Sequence, residues 1–161
     1  MAVTPERLHV LFKYNDGQLI RKTTVSSNAK AGDRAGTISK RGNRDVSVDG
    51  KTMKEHRVIF LMLKGYLPVE VDHVDGNPLN NSIDNLRSCS SSENKYNTSK
   101  RSDNTSGLKG VSWNTNTNSW RAKLFAEGKQ IEIGSFKTIF EAACNIIPAR
   151  QQSHGAFARQ R

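Results

Sequence analysis

The sequence predicts an α+β fold in three parts: a small N-terminal β-rich region, a central strand-loop-strand-helix unit, and a C-terminal three-stranded antiparallel sheet with one helix. Three observations carry this. Short runs of alternating apolar residues, broken by Asn15-Asp16-Gly17 and Asp49-Gly50 turns, fill the first fifty residues. One compact apolar helical pattern, Glu55 to Lys64, stops at Gly65 and Pro68. Two capping boxes, Ser90 to Glu93 and Thr138 to Glu141, each follow a strand pattern and open a helix.

In order along the chain, Leu11–Tyr14 and Gln18–Lys22 form a hairpin, and Ser26 to Asp33 is a polar loop. Gly36–Ser39, Asp45–Val48 and Lys51–Met53 complete the small sheet. The next helix carries Val58, Ile59, Leu61, Met62 and Leu63 as a buried face, and His56 reads as a packing or hydrogen-bonding residue beside it. Val69–His73 and Leu86–Cys89 are strands flanking a polar turn region in which Asp75 and Asn77 are turn formers. The helix after Ser90 carries Asn94 and Asn97. A Ser/Asn-rich stretch reads as a linker, and beyond it Gly110–Trp113, Trp120–Phe125 and Gln130–Ile133 alternate as strands. The last helix contains Pro148, which should kink or shorten it. The expected boundaries are 1–53, 54–100, a linker at 101–106, and 107–161.

The bulk numbers narrow the function. Twenty-five Lys and Arg against fifteen Asp and Glu give a formal charge of +10, which favours a polyanionic partner. The charge is uneven: nine basic and five acidic residues in 1–50, seven and six in 51–100, nine and four in 101–161. Basic flanks around a nearly neutral middle suit phosphate-gripping modules around carboxylates that hold a cation. No apolar run approaches the roughly 18 residues of a membrane span, and the first residues lack a secretory pattern, so the expected location is the cytoplasm, with no membrane partner. Cys89 and Cys144 form no C-x-x-C pair and read as small core residues.

Hydrolysing a phosphodiester at neutral pH needs a deprotonated water, charge stabilisation at phosphorus and help for the leaving oxygen. An imidazole accepts the proton well, and a hard cation prefers oxygen ligands. His73 stands beside Asp72, and Asn94 offers a further oxygen. The run Val71-Asp72-His73-Val74-Asp75-Gly76-Asn77-Pro78-Leu79-Asn80-Asn81, then Asn85-Leu86-Arg87, then Glu93-Asn94 and Asn97, resembles the HNH motif of phage homing endonucleases. The likeness continues upstream through Tyr14, Gly17, Ala31-Gly32-Asp33, Val46 to Lys51 and His56-Arg57 to Gly65 and Pro68. Asn104-Thr105-Ser106-Gly107 with Lys109-Gly110-Val111-Ser112-Trp113 resembles the start of an Apetala-type DNA-binding domain.

The resemblance implies a ββα-metal nuclease core at 54–100. There His73 is the general base, Asp72 and Asn94 hold one divalent ion, and Asn85 braces the hairpin loop as part of the catalytic set. Asn94 in place of the last His favours Mg²⁺ or Mn²⁺, since an amide oxygen is a hard ligand, and structural zinc is not required. Adjacent strand residues point to opposite faces, so the strand must distort or end near Asp72 and His73, or base and metal must act on opposite sides of one phosphate.

In the C-terminal module, alternation places Trp120, Ala122 and Leu124 on one face and Arg121, Lys123 and Phe125 on the other. The resemblance to Apetala-type domains implies that Lys109, Trp113, Arg121, Lys123, Lys129 and Gln130 line a sheet entering the major groove of double-stranded DNA. Trp120 reads as core. Pro148 in the helix, and Glu132 where such domains tend to place an aromatic, are departures from that pattern. Arg87 is a candidate phosphate contact beside an equal reading as a solvated strand residue, and Lys22, Lys30, Arg34, Lys40, Arg41 and Arg44 are further candidates. The expected function is a metal-dependent HNH endodeoxyribonuclease, a nickase or a double-strand cutter. The alternatives are a non-catalytic DNA-binding regulator on the same scaffold and, on charge alone, an RNA-binding protein.

Overall fold

The computed structural model describes residues 3–98 and 100–158. Its contacts divide the chain into two compact units, Met1–Ser90 and Ser91–Arg161. Together they have the α+β layout expected, built from small antiparallel sheets and a few helices.

The first unit begins with a helix where the sequence reading had only β-structure. Helix α1, Pro5–Leu11, starts because Thr4 accepts the Arg7 N–H at 3.3 Å and proline occupies the first turn, where its missing N–H costs nothing. Strands β1 (Phe12–Asn15) and β2 (Gln18–Arg21) then form the expected hairpin. Its two turn residues, Asp16 and Gly17, both take positive φ, 41° and 76°, which matches the twist of the flanking strands. A three-stranded sheet follows, with β3 (Thr37–Ile38), β4 (Arg44–Val48) and β5 (Lys51–Lys54) in sequence order.

Helix α2 spans Glu55–Lys64 and closes at Gly65, whose φ of 80° lets its N–H reach the Leu61 carbonyl at 3.0 Å. Its apolar side is the centre of the unit: Val58 and Ile59 are fully buried against Leu8, Phe12, Leu19, Val46, Val48, Val71 and Leu86. Each such side chain contributes about 1.5–3 kcal/mol by leaving water. Arg57 donates to the Val69 and Pro68 carbonyls and so fixes the connection into β6 (Glu70–His73), which pairs antiparallel with β7 (Leu86–Cys89).

The second unit opens with the short helix α3, Ser91–Tyr96. The Tyr96 ring stacks on His154 at 3.9 Å between centroids, and its hydroxyl accepts the Glu127 N–H at 3.2 Å. Strands β8 (Val111–Asn114), β9 (Ser119–Ala126) and β10 (Lys129–Phe136) form an antiparallel sheet with β9 in the middle. Ser106 ties the polar stretch before β8 to the sheet by donating to the Val111 carbonyl at 2.7 Å. Helix α4, Ile139–His154, begins with both arms of the Thr138–Glu141 capping box and buries Ala142 and Ile146 against Val111, Ala122, Leu124 and Ala126.

Two sequence expectations need adjustment here. Of the kink or shortening expected at Pro148, the shortening does not occur: α4 continues for six more residues to His154. The last turns are anchored by tertiary contacts: the His154 Nε2 bonds the Phe125 carbonyl at 2.9 Å, its ring lies on Tyr96, and Arg150 is buried and donates to the Lys109 carbonyl. Cys144 lies exposed on α4 and is no core residue, whereas Cys89 is buried. No helix among the described residues is long and apolar enough to cross a membrane.

Candidate active site

Strand β6 carries the two adjacent chemical residues. Asp72 is opposite Arg87 in the β6–β7 register, so the two side chains share a face, and the guanidinium donates to Asp72 Oδ2 through Nε at 2.9 Å and Nη2 at 2.8 Å. His73, one residue on, turns toward α2. Its ring meets His56 edge-on at 4.7 Å, and its Nε2 lies 2.8 Å from Asn81 Oδ1. The strand stops at His73, whose carbonyl accepts the Gly76 N–H at 2.9 Å as the chain turns. Asp72 and His73 are both buried.

The loop between the strands is held by its own side chains. Asn85 Oδ1 accepts the Asp75 N–H at 3.1 Å, while its Nδ2 donates to Asp75 Oδ1 at 2.9 Å and to the Asn80 carbonyl at 2.8 Å. Asp75 also accepts the Asn77 N–H and the Asn80 amide. Burial opposes ionisation of Asp75, but the Asn77 N–H and the Asn80 and Asn85 amides outweigh it, and the carboxyl sits below its ordinary range. Tyr14 reaches across from β1, its hydroxyl accepting the Ile83 N–H at 3.1 Å.

Beneath this loop lies a polar cluster that sequence reasoning did not single out. Asn81, 1 % exposed, donates from Nδ2 to Glu55 Oε2 at 2.8 Å. Glu55, fully buried at the start of α2, also accepts the Leu19 N–H at 3.2 Å and Arg34 Nη2 at 3.2 Å, with Arg44 Nε at 3.8 Å. Arg34 and Arg44, candidate phosphate contacts from sequence, are thus turned inward onto this carboxylate. Lys22, another of that set, donates to the His9 carbonyl at 2.6 Å. The available signal for Glu55 was a carboxylate heading an otherwise apolar helix, a position that needs a partner once buried. Burial, then the neighbouring His73 imidazole and the positive charges of Lys54 and Arg57, pushes His56 down to about 3, so it is neutral around pH 7.

Asn94 sits on α3 in the second unit and is half-buried. Among the described residues no group of three or more His, Cys, Asp and Glu side chains is arranged to hold a metal ion. The donors proposed from sequence, a carboxylate and an amide oxygen, are hard ligands suited to a cation that keeps much of its water.

The second unit splits the expected DNA-contacting set. Register and burial put Arg121, Lys123, Phe125 and Gln130 on the sheet face away from α4. Arg121 is paired there with Glu132, Nη2 to Oε2 at 2.7 Å. Trp113 lies opposite Trp120 and meets it edge-on at 5.2 Å, and Lys129 lies opposite Ala126, so both belong to the helix-side face. Lys109 Nζ donates to the Tyr96 carbonyl at 2.9 Å and the Thr98 carbonyl at 2.6 Å, closing the end of α3. A cavity of about 530 Å³ in this unit is lined by Lys95, Lys100, Arg101, Lys109, Lys123 and Arg150, with Asp103 the one acid among the described lining residues.

Comparison with known proteins assigns the segment that contains these residues to a family. The HNH endonuclease family model matches residues 54–96, which run from the end of β5 through α3. Protein 3.8 of Escherichia phage T7 is 45% identical over 113 residues, 69% of this chain and 93% of that protein. An uncharacterized HNH endonuclease of Acanthamoeba polyphaga mimivirus is 34% identical over 116 residues, 70% of this chain and 59% of that protein. No solved structure matches the chain. The chain belongs to the family of phage T7 protein 3.8 and carries an HNH endonuclease domain, a nuclease module whose substrate is DNA.

Proposed function

We propose that the protein is a phage-type endonuclease that hydrolyses phosphodiester bonds in double-stranded DNA, in the cytoplasm of a bacterial host, with His73 as general base. One observation carries the reading: a buried histidine at the end of β6, hydrogen-bonded at 2.8 Å and adjacent to a carboxylate, within the segment that the HNH family model matches.

In this reading His73 takes the proton from the attacking water, which lies in line with the departing oxygen. Asp72 and Asn94 would hold a divalent cation, Mg²⁺ or Mn²⁺. When bound, that cation supplies charge neutralisation at phosphorus and at the leaving oxygen. Arg87 holds Asp72 in place through its forked hydrogen bond and adds positive charge beside the carboxylate, which would favour an approaching phosphate. Asn85 acts at one remove, by keeping the loop between the strands in one shape.

The second unit is the DNA-holding module, of Apetala type. Its open sheet face offers Lys123, Gln130 and the half-exposed Phe125, and its basic cavity gives a phosphate strand a cationic wall. Affinity should therefore fall steeply with salt.

The test is incubation of the purified protein with plasmid and phage DNA in Mg²⁺, beside EDTA and His73→Ala controls. Cutting that needs the cation and is lost in His73→Ala is the expected result. Binding without cutting under every divalent cation tried would leave the regulator reading in its place.

A further inference from the structure

The geometry points to Asn81 and Glu55 as positioning residues that hold His73 in a single tautomer, with the ring hydrogen on Nε2 and the basic lone pair on Nδ1. This rests on the reading of His73 as the base, and adds which nitrogen does the work and what selects it.

Every hydrogen in the relay has only one place to sit. Glu55 is met by three N–H donors, from Leu19, Arg34 and Asn81, so it acts throughout as an acceptor. The Asn81 amide must therefore present its NH₂ to Glu55, because an amide oxygen there would face carboxylate oxygen at 2.8 Å. Its carbonyl end then faces His73, at 2.8 Å from Nε2. A carbonyl oxygen only accepts, so the hydrogen of that bond belongs to Nε2.

Burial makes the choice firm. Asn81 is 1 % exposed, Glu55 is fully buried and His73 is 7 % exposed, so water does not replace a lost partner at low cost. The opposite tautomer would set an imidazole lone pair against the amide oxygen. His56, packed edge-on at 4.7 Å, restrains the same ring from α2. The relay is also anchored outside the motif loop, since Leu19 belongs to β2 and Arg34 to the segment after it. The tautomer of His73 on β6 is therefore set through Asn81, eight residues on, by a carboxylate that heads α2 and is itself held from β2.

The experiment is a long-range ¹H–¹⁵N correlation spectrum of the full ¹⁵N-labelled chain, above the titration range of histidine and with neither metal nor DNA. The His73 signals are identified by their loss in His73→Gln. The parent should show a protonated Nε2 and an unprotonated Nδ1; an Nδ1–H pattern overturns the inference with no variant needed. Asn81→Ala should give a mixture of tautomers. It should also lower kcat by roughly 10- to 100-fold, the range seen when the partner orienting a functional imidazole at a metal site is removed, with KM for DNA little changed. A single, unchanged Nε2–H tautomer in Asn81→Ala would show that something else selects it and sink the role given to Asn81 and Glu55. Because the spectra are read without substrate, this inference and the nuclease reading fail on different measurements.

Discussion

His56 should make the first unit sensitive to mild acid. Its pKa falls from 6.5 in an exposed chain to about 3 in the fold, chiefly because burial penalises the imidazolium. A base whose pKa is depressed by folding takes up its proton more readily when unfolded. Its stabilising contribution is complete above the unfolded value and is lost as pH falls from there toward the folded one. Between the two limits the loss runs at about 1.4 kcal/mol per pH unit, so moving from about pH 7.5 to about pH 5 should cost about 2 kcal/mol. The assay is urea unfolding followed by circular dichroism, comparing the parent with His56→Gln at both pH values. Trp113 and Trp120 both lie in the second unit, so tryptophan fluorescence follows that unit alone and serves as an internal control. His56→Gln should be less stable at pH 7.5 yet show a pH dependence smaller by about 2 kcal/mol. Equal pH dependence in the two proteins would refute the buried, neutral histidine.

Three further outcomes are expected. Gly17→Ala would place a Cβ 2.8 Å from the Ser82 nitrogen and 3.0 Å from the Asn81 carbonyl carbon, at a φ of 76°. It should lose about 2 kcal/mol and slow DNA cutting, and an unchanged melting temperature would contradict the packing described. Arg87→Met strips a buried carboxylate of its cation and should cost about 3 kcal/mol in EDTA. Mg²⁺ should restore part of that loss in a thermal melt, and no Mg²⁺ effect on the variant would remove Asp72 from the proposed ligands. Lys109→Met should destabilise the second unit by about 1–2 kcal/mol, while Lys123→Ala should leave stability alone and weaken DNA binding. The reverse pattern in fluorescence melts and filter binding would exchange the roles of these two lysines.

What could be read in the sequence was whatever is fixed locally. The turns at Asp16-Gly17 and Asp49-Gly50 announce themselves because few residues tolerate positive φ, and both turns carry it. Helix α2 was legible to its ends because its apolar positions recur at helical spacing and Gly65 terminates it. Helix α1 was not, since a seven-residue helix with Leu8 as its buried residue shows no periodicity; Thr4-Pro5-Glu6 was its available signal. The Asp72-His73 pair was visible through motif spacing, whereas the Asn81–Glu55 bond joins residues 26 positions apart and exists only after β6 has folded against α2. The same reason hid the hydrogen bonds by which Lys109 closes the end of α3, since they join residues 11 and 13 positions apart. Pro148 did not end α4 as propensity allowed, because the contacts of Arg150 and His154 hold the turns beyond it.

The β1–β2 hairpin changes what counts as the smallest working piece of this protein. The family match starts at residue 54, but Tyr14 braces the motif loop, Gly17 packs against its backbone and Leu19 binds the carboxylate under it. A fragment cut at the motif boundary would keep every residue assigned to chemistry and lose the scaffold that aims them. Transplanting the activity onto another protein would thus mean moving α1 and the hairpin together with the motif, with the join made upstream of Thr4, the cap of α1.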